Sequence, residues 1–420
     1  MKINKLFFQN IIWFFFYTQP FITIQFGYTT LSIVLVITGL IYLGSSFRIN
    51  SYELILFLIP VVSVIFWIFL GKLEINELFD RDKHRFLYYT LLPFLVAFGI
   101  LKTINSNKDI ICFLKMSFWY VIGVLVLSII SICTGDFFKT GHIDITGFER
   151  AGGWTHIPNV YSTYLVLAVM FCYLQYMFSK KLIYIYIMIL FLIFLLLTVS
   201  RNGLLGAILF FFCFYYYNNK TVVINSIGSR VKKLPSMLFM IITACIIVFT
   251  IYGNIFIGLF TRFIGKNILL ENGRVGWWLA HFNSMSHWQV TDFLFGIYYN
   301  NLLNNLIHGL PYVIPKESYG TFSTVENGFL YFFLSSGIVG FSMLLFLIFK
   351  TVRKALQIIN KKDKQHLVIA IFTISFIASI SIQAFFTDYM YMSNIVYFYT
   401  IMGVINKIRY LDGPLHKEIV

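Results

Sequence analysis

Long apolar runs, separated by short polar breaks, dominate the chain from its first residues. About 20 apolar residues suffice for a helix to cross a bilayer. The pattern predicts helices at 7–25, 28–46, 52–71, 86–101, 111–133, 158–178, 182–200, 203–217, 237–252, 326–349, 366–386 and 390–405. Pro20 interrupts the first, and the helices at 203–217 and 237–252 are short. Two breaks are longer than the rest, at 134–157 and 253–325. There is no internal repeat and no polar stretch long enough for a separate soluble domain. The expected fold is all-α: one transmembrane domain over 1–420, with about twelve spans and one long external loop. The apolar run after Met1–Asn4 passes Phe16 without a small-residue cleavage site, so the first helix is expected to remain as an anchor.

Composition agrees with this pattern. Hydrophobic residues make up 59% and charged residues 12%, where a soluble domain carries roughly 25% charged. A net charge of +15 could point to nucleic acid, but its distribution explains it otherwise. With a cytoplasmic N-terminus, the cytoplasmic breaks collect Lys102, Lys108, Lys180, Lys181, Arg230, Lys350, Arg353, Lys354, Lys361 and Lys407, while the opposite breaks are nearly balanced. Basic loops face the cytoplasm in multi-pass proteins. Both termini are therefore expected inside, both long loops outside, and no nucleic-acid partner is needed. Cys112, Cys133, Cys172, Cys213 and Cys245 lie in apolar segments without paired spacing and read as packing residues. The histidines show no metal-ligand spacing, so neither a metal nor a cofactor is expected.

Ionisable residues at a membrane face are costly and invite a functional reading. Four clusters fall on the predicted outer face. The first, 149-ERAGGWTHIPN-159, carries Arg150, His156 and Asn159 and runs into a helix that Pro158 is suited to start. The second, 200-SRNG-203, puts Ser200 and Arg201 in a tight turn between two helices. The third, 271-ENGRVGWWLA-280, begins an amphipathic stretch at Arg274. The fourth, 324-TVENGFLYFFLSSGIVG-340, sets Glu326 and Asn327 at the mouth of a helix. Each has a plainer reading taken alone: headgroup anchor, structural salt bridge, interfacial anchor and helix cap respectively. Together they offer three guanidinium groups, whose forks match phosphate oxygens, and one carboxylate that partial burial could turn into a general base.

The order R-x-G…H-x-P-N, then S-R between helices, then a long loop with R-x-x-x-W, then E-N-x-x-L…G-I-x-G, resembles the O-antigen polymerase and ligase superfamily, whose polymerases are the Wzy type. The resemblance covers roughly Arg150 to Gly340 and the overall topology. It implies a bacterial inner-membrane enzyme working at the periplasmic face, in lipopolysaccharide or other polysaccharide biosynthesis. Such an enzyme transfers a growing glycan from undecaprenyl diphosphate to the terminal sugar hydroxyl of another lipid-linked repeat unit. By the resemblance, Arg150, Arg201 and Arg274 are the cations that meet the diphosphate, and Glu326 takes the place where ligases commonly carry His. Glu326, Arg274 and Arg150 are thus the catalytic candidates. Arg201, Ser200, His156, Asn159 and Asn327 are the substrate-binding candidates. The expected partners are the lipid-linked oligosaccharide, membrane lipids, and a chain-length regulator and flippase of the same pathway. An O-antigen ligase and a flippase of lipid-linked oligosaccharide are the alternatives; the lack of internal repeats argues against the flippase.

Overall fold

A computed structural model of the chain describes residues 5–26, 49–71, 92–141, 149–222, 278, 281–297, 327–361, 366–386 and 394–408. Their helices are α1 (Lys5–Phe26), α2 (Ser51–Phe69), α3 (Leu92–Thr103), α4 (Asn107–Lys115), α5 (Phe118–Cys133), α6 (Pro158–Ser179), α7 (Ile183–Leu197), α8 (Arg201–Val222), α9 (Val290–Phe295), α10 (Gly328–Asn360), α11 (Leu367–Phe386) and α12 (Ile395–Lys407). The expected all-α class holds among these residues. Among the described residues, five helical stretches are long and apolar enough to cross a membrane: α2, the α4–α5 stretch Asn107–Cys133, α6, α10 and α11. The chain therefore has several apolar helices of the kind a multi-pass membrane protein needs, while α3 and α7 are shorter. The predicted helices at 28–46 and 237–252 lie outside the described residues.

Local chemistry sets several boundaries. Asn50 starts α2 with a capping box: its side chain accepts from the Glu53 N–H, and the Glu53 carboxylate accepts from the Asn50 N–H. Ser106 caps α4, Pro158 occupies the first turn of α6, and a left-handed Lys180 ends α6. Two expectations need correction. The helix expected at 111–133 is divided, because the amphipathic α4 turns at Met116–Ser117 before α5 begins. The helix expected to be short at 203–217 runs from Arg201 to Val222, and its start is set by Ser200, an N-terminal cap that apolar periodicity does not register. Cys112 and Cys133 are exposed rather than packed, whereas Cys172 is buried.

The helices pack as a bundle. α11 lies along α8 and α10, α6 packs on α5, α7 and α8, and α12 packs on α3, α10 and α11. Gly206 of α8 sits against the Gln383 side chain of α11, and a side chain at 206 would occupy that space. Small residues permit this close approach between apolar helices. Aromatic rings fill the centre. Tyr17 stacks on Tyr397 at 5.8 Å, Tyr120 meets Tyr397 edge-on at 5.2 Å, and Trp13 donates to Thr103 Oγ1 at 2.8 Å. Asn394 joins Tyr120 of α5 to Thr163 of α6.

The two ends of the bundle differ. At one end Lys102 reaches Glu53 at 2.5 Å and Lys407 reaches it at 3.2 Å, with Glu53 1% exposed. Lys350 donates to Ser51 and Lys354 to the Asn406 carbonyl at this end. The opposite end carries the 134–141 and 149–157 segments, the α7–α8 turn and the 281–297 segment.

Candidate functional site

The α7–α8 turn is built by its own side chains. Thr198 Oγ1 donates to the Leu195 carbonyl and accepts from the Ser200 N–H. Val199, buried and β-branched, takes a left-handed backbone (φ 50°), a conformation such residues rarely accept. Ser200 then caps α8: its Oγ accepts from the Gly203 N–H at 3.4 Å and from Ser162 Oγ at 2.9 Å. This turn aims the Thr198 carbonyl away from its helix and toward Arg150.

Arg150 is the centre of the site. Its Nε donates to the Thr198 carbonyl at 2.9 Å and its Nη2 to Asn159 Oδ1 at 3.0 Å. Two fixed acceptors hold the plane of the guanidinium. The strand-like segment around it is pinned as well. Ala151 N–H donates to the Leu197 carbonyl, Gly152 and Gly153 N–H donate to the Phe137 carbonyl, and Thr140 Oγ1 donates to the Arg150 carbonyl. Glu149 accepts from the Thr140 and Gly141 N–H groups. Arg201, half-buried, opens α8 three residues after Thr198. Its position at a helix N-terminus adds positive field to that of the guanidinium groups.

The structure thus joins the first two sequence clusters. Arg150, Asn159, Ser200 and Arg201 gather at one end of the bundle. Asn159 and Ser200 serve there as supports, one orienting Arg150 and the other capping α8. His156 stands apart, exposed and left-handed (φ 55°) at the end of a short turn. Asp136 lies near it and is held below the usual carboxylate range, chiefly by hydrogen bonds from Thr134 and Lys139. Thr198, Thr140 and Ser162 were missed in the sequence. Thr198 contributes a backbone carbonyl to Arg150, and a carbonyl leaves no trace in residue type.

Arg274 and Glu326, two of the catalytic candidates, lie outside the described residues. What adjoins them is defined. Asn327 caps α10, its Oδ1 accepting from the Leu330 N–H at 2.9 Å. The capping role weighed for Glu326 therefore belongs to its neighbour. Within α10 the backbone breaks at Gly337 (φ 64°, ψ −171°), the first glycine of the G-I-x-G motif. The long loop fills this break. Gly296 (φ 80°, ψ 172°) lies against Ser335, Gly337 lies against Leu294 and Gly296, and Ile297 N–H donates to the Leu334 carbonyl at 2.9 Å. Trp67 of α2 holds the same loop through the Phe295 carbonyl at 3.0 Å, and Trp288 stacks on Phe333. Trp278 meets Phe385 at the end of α11. His281 is 2% exposed, its Nδ1 has no partner among the described residues, and burial lowers its pKa to about 4.

Backbone meets backbone at Gly296, so a side chain there has no flexible neighbour to displace. Gly296→Ala is expected to lose about 1–3 kcal/mol from the disfavoured backbone alone and more from the collision with Ser335. Thermal unfolding in detergent measures this; an unchanged midpoint would show that the loop does not stay docked.

No group of three or more His, Cys, Asp or Glu residues that could hold a metal occurs among the described residues. The site as described can orient guanidinium groups toward an anion at one end of an apolar bundle. No known family model and no curated protein matches the chain.

Proposed function

We propose that this chain is a repeat-unit polymerase of the O-antigen or capsule type, a glycosyltransferase using a polyprenyl-diphosphate donor. One observation carries the reading: Arg150 is held by Asn159 and by the carbonyl of Thr198, 48 positions away and two residues before the Ser200–Arg201 motif, so that the first two of the four ordered motifs lie at the same end of the bundle. In this proposal the Arg150 end of the bundle is periplasmic and the Glu53 end, with both termini, is cytoplasmic, in the bacterial inner membrane. The gathering of Lys102, Lys350, Lys354 and Lys407 at the Glu53 end supports that orientation.

In the proposed step, the terminal hydroxyl oxygen of a lipid-linked repeat unit attacks the anomeric carbon of the growing chain. The bond from that carbon to the undecaprenyl diphosphate breaks, and the diphosphate leaves with its carrier lipid. The hydroxyl proton passes to Glu326. Arg150, Arg201 and Arg274 meet the charge that develops on the diphosphate, in a crevice where such contacts are stronger than in water. Asn159 orients Arg150, and Asn327 fixes the start of the helix beside Glu326. A chain-length regulator and a flippase are the natural partners of such an enzyme.

Arg150→Ala is expected to shorten or abolish the polymer ladder at normal protein level. A charge-assisted hydrogen bond is worth roughly 1.5–3 kcal/mol, which is about tenfold or more in rate. Arg150→Lys should recover only part, because lysine lacks the fork that spans Thr198 and Asn159. Surface polysaccharide resolved on a gel measures both variants. In a lipopolysaccharide producer, inactivation should leave the core capped by a single repeat unit. A core with no repeat at all would indicate a ligase instead, and wild-type chain length in Arg150→Ala would return that residue to an anchoring role.

A further inference from the structure

α10 is two helices joined at a break. Gly337 takes φ 64° and ψ −171°, and Gly296 of the facing loop takes φ 80° and ψ 172°. Both lie in a region of backbone space that is essentially reserved for glycine. The loop enters the break: Leu294 and Gly296 lie against Gly337, and the Ile297 N–H donates to the Leu334 carbonyl at 2.9 Å. In an unbroken α-helix the Leu334 carbonyl would accept from the Ile338 N–H, four residues on. The loop thus supplies Leu334 with a donor from outside the helix.

The two halves of α10 belong to different apolar clusters. Beyond the break, Leu344, Leu347, Ala355, Ile358 and Ile359 join the main core. Before it, Leu330, Tyr331 and Leu334 form a small separate cluster with Trp67 of α2 and Ile297. Phe332 alone of the buried apolar residues in this half joins the main core, where it meets Phe94 at 5.8 Å. Aromatic groups hold the loop in place. Trp67 Nε1 donates to the Phe295 carbonyl at 3.0 Å, Phe66 stacks on Phe295 at 3.7 Å, and Trp288 stacks on Phe333 at 6.2 Å. The same segment exposes Val290, Phe293 and Leu294. A unit resting on a small apolar cluster opens at lower cost than the body of a fold.

We propose that Gly337 is a two-state hinge and that the loop segment from Trp288 to Ile297 is its latch. In the latched state, which the structure shows, the segment fills the break and the Ile297 N–H bonds to Leu334. In the released state the segment leaves, Gly337 takes helical angles, and the Leu334 carbonyl accepts from the Ile338 N–H. Each state gives that carbonyl a donor, so the two are alternatives rather than a folded and a damaged form. Glycine accepts both conformations because it has no Cβ. Straightening α10 redirects its first half, Gly328–Ser336, which Asn327 caps and Glu326 precedes in the chain. A packed element with two arrangements turns a local change into a defined displacement. The hinge does not depend on the proposed glycan transfer.

Gly337→Ala tells a hinge from a fixed break. Alanine is disfavoured at a φ of 64° and is the best helix former. A hinge should answer by changing state, and a fixed break by unfolding. Loop position is read in the full chain, with its native cysteines replaced by alanine, as the distance between spin labels at Val290 and at Ile65 of α2, which are 75% and 57% exposed. The labelled parent should give one main distance, that of the docked loop. Gly337→Ala should show a longer component and raise the ratio of released to docked loop by about tenfold or more, with the size-exclusion profile of the parent. Hydrogen exchange should slow at the Ile338 amide while it speeds up from Trp288 to Ile297. Trp67→Phe keeps a ring but removes the donor to the Phe295 carbonyl, and should raise the same ratio by about threefold without touching the hinge residue. Gly337→Ala that keeps only the docked distance, or that fails to fold, would overturn the hinge. An unchanged ratio in Trp67→Phe would overturn the latch.

Discussion

Glu53→Gln should unfold or strongly destabilise the protein. The carboxylate is 1% exposed, with Lys102 at 2.5 Å and Lys407 at 3.2 Å. It also accepts from the Asn50 N–H and so closes the α2 capping box. Removing its charge leaves two ammonium groups facing each other in a buried site. Breaking a buried ion pair on one side costs about 3–5 kcal/mol, because the remaining charge is uncompensated. Here three elements separate at once, since α2, α3 and α12 meet at this carboxylate. Lys407 also donates to the Leu101 and Ile104 carbonyls, so its own displacement would expose α3. Fluorescence-detected size exclusion after heating would measure the loss. Glu53→Gln combined with Lys102→Met should recover part of it, because contacting residues are non-additive. A melting temperature equal to wild type would mean that the pair is solvated and contributes little.

Glu326→Gln separates stability from chemistry. The cap at the start of α10 belongs to Asn327, which already satisfies the Leu330 N–H, so the substitution should fold at wild-type level. If Glu326 accepts the acceptor proton, the amide should cost roughly 10²–10⁴ in rate, and the polymer ladder should collapse to single units while protein level holds. Glu326→His should retain some activity, following the resemblance to ligases. Full-length polymer from the Gln variant would retire the base and move the search to His156, His281, His287 and His308. Of these His281 is poorly suited, because burial lowers its pKa to about 4 and makes it a weak proton acceptor. Asn327→Ala gives the complementary result: a loss of about 1 kcal/mol in stability from the cap, with chemistry affected only as far as the helix mouth moves.

Apolar runs made most helices legible, and the exceptions have physical causes. The division of 111–133 was hidden because the exposed Cys112 and the buried Phe113 and Leu114 look alike to a hydropathy reading. Only the burial of each side chain reveals a short amphipathic helix ahead of α5. The start of α8 was hidden because Ser200 acts by accepting a hydrogen bond from the Gly203 N–H. The break at Gly337 was legible only as a motif; its conformation depends on the loop packed into it. In the candidate site, Arg150, Asn159 and Arg201 could be named in advance because charge and amide are costly near a membrane. The hold on Arg150 could not, since one of its two acceptors is the Thr198 backbone carbonyl.

What the sequence by itself determined is the class of the molecule, an all-helical chain with apolar helices of membrane-crossing length, and the identity of the ionisable residues between them. Both follow from local quantities: transfer free energy summed over a run of residues, and the cost of each charge that interrupts it. Only the tertiary structure decided which of those charges meet. Glu53 finds Lys102 and Lys407 from two other helices, and Arg150 finds a carbonyl freed by the left-handed Val199. Gly296 and Gly337 find each other because neither has a side chain to keep two backbones apart. Such encounters are set by packing between distant segments, and residue-by-residue hydropathy carries no record of them.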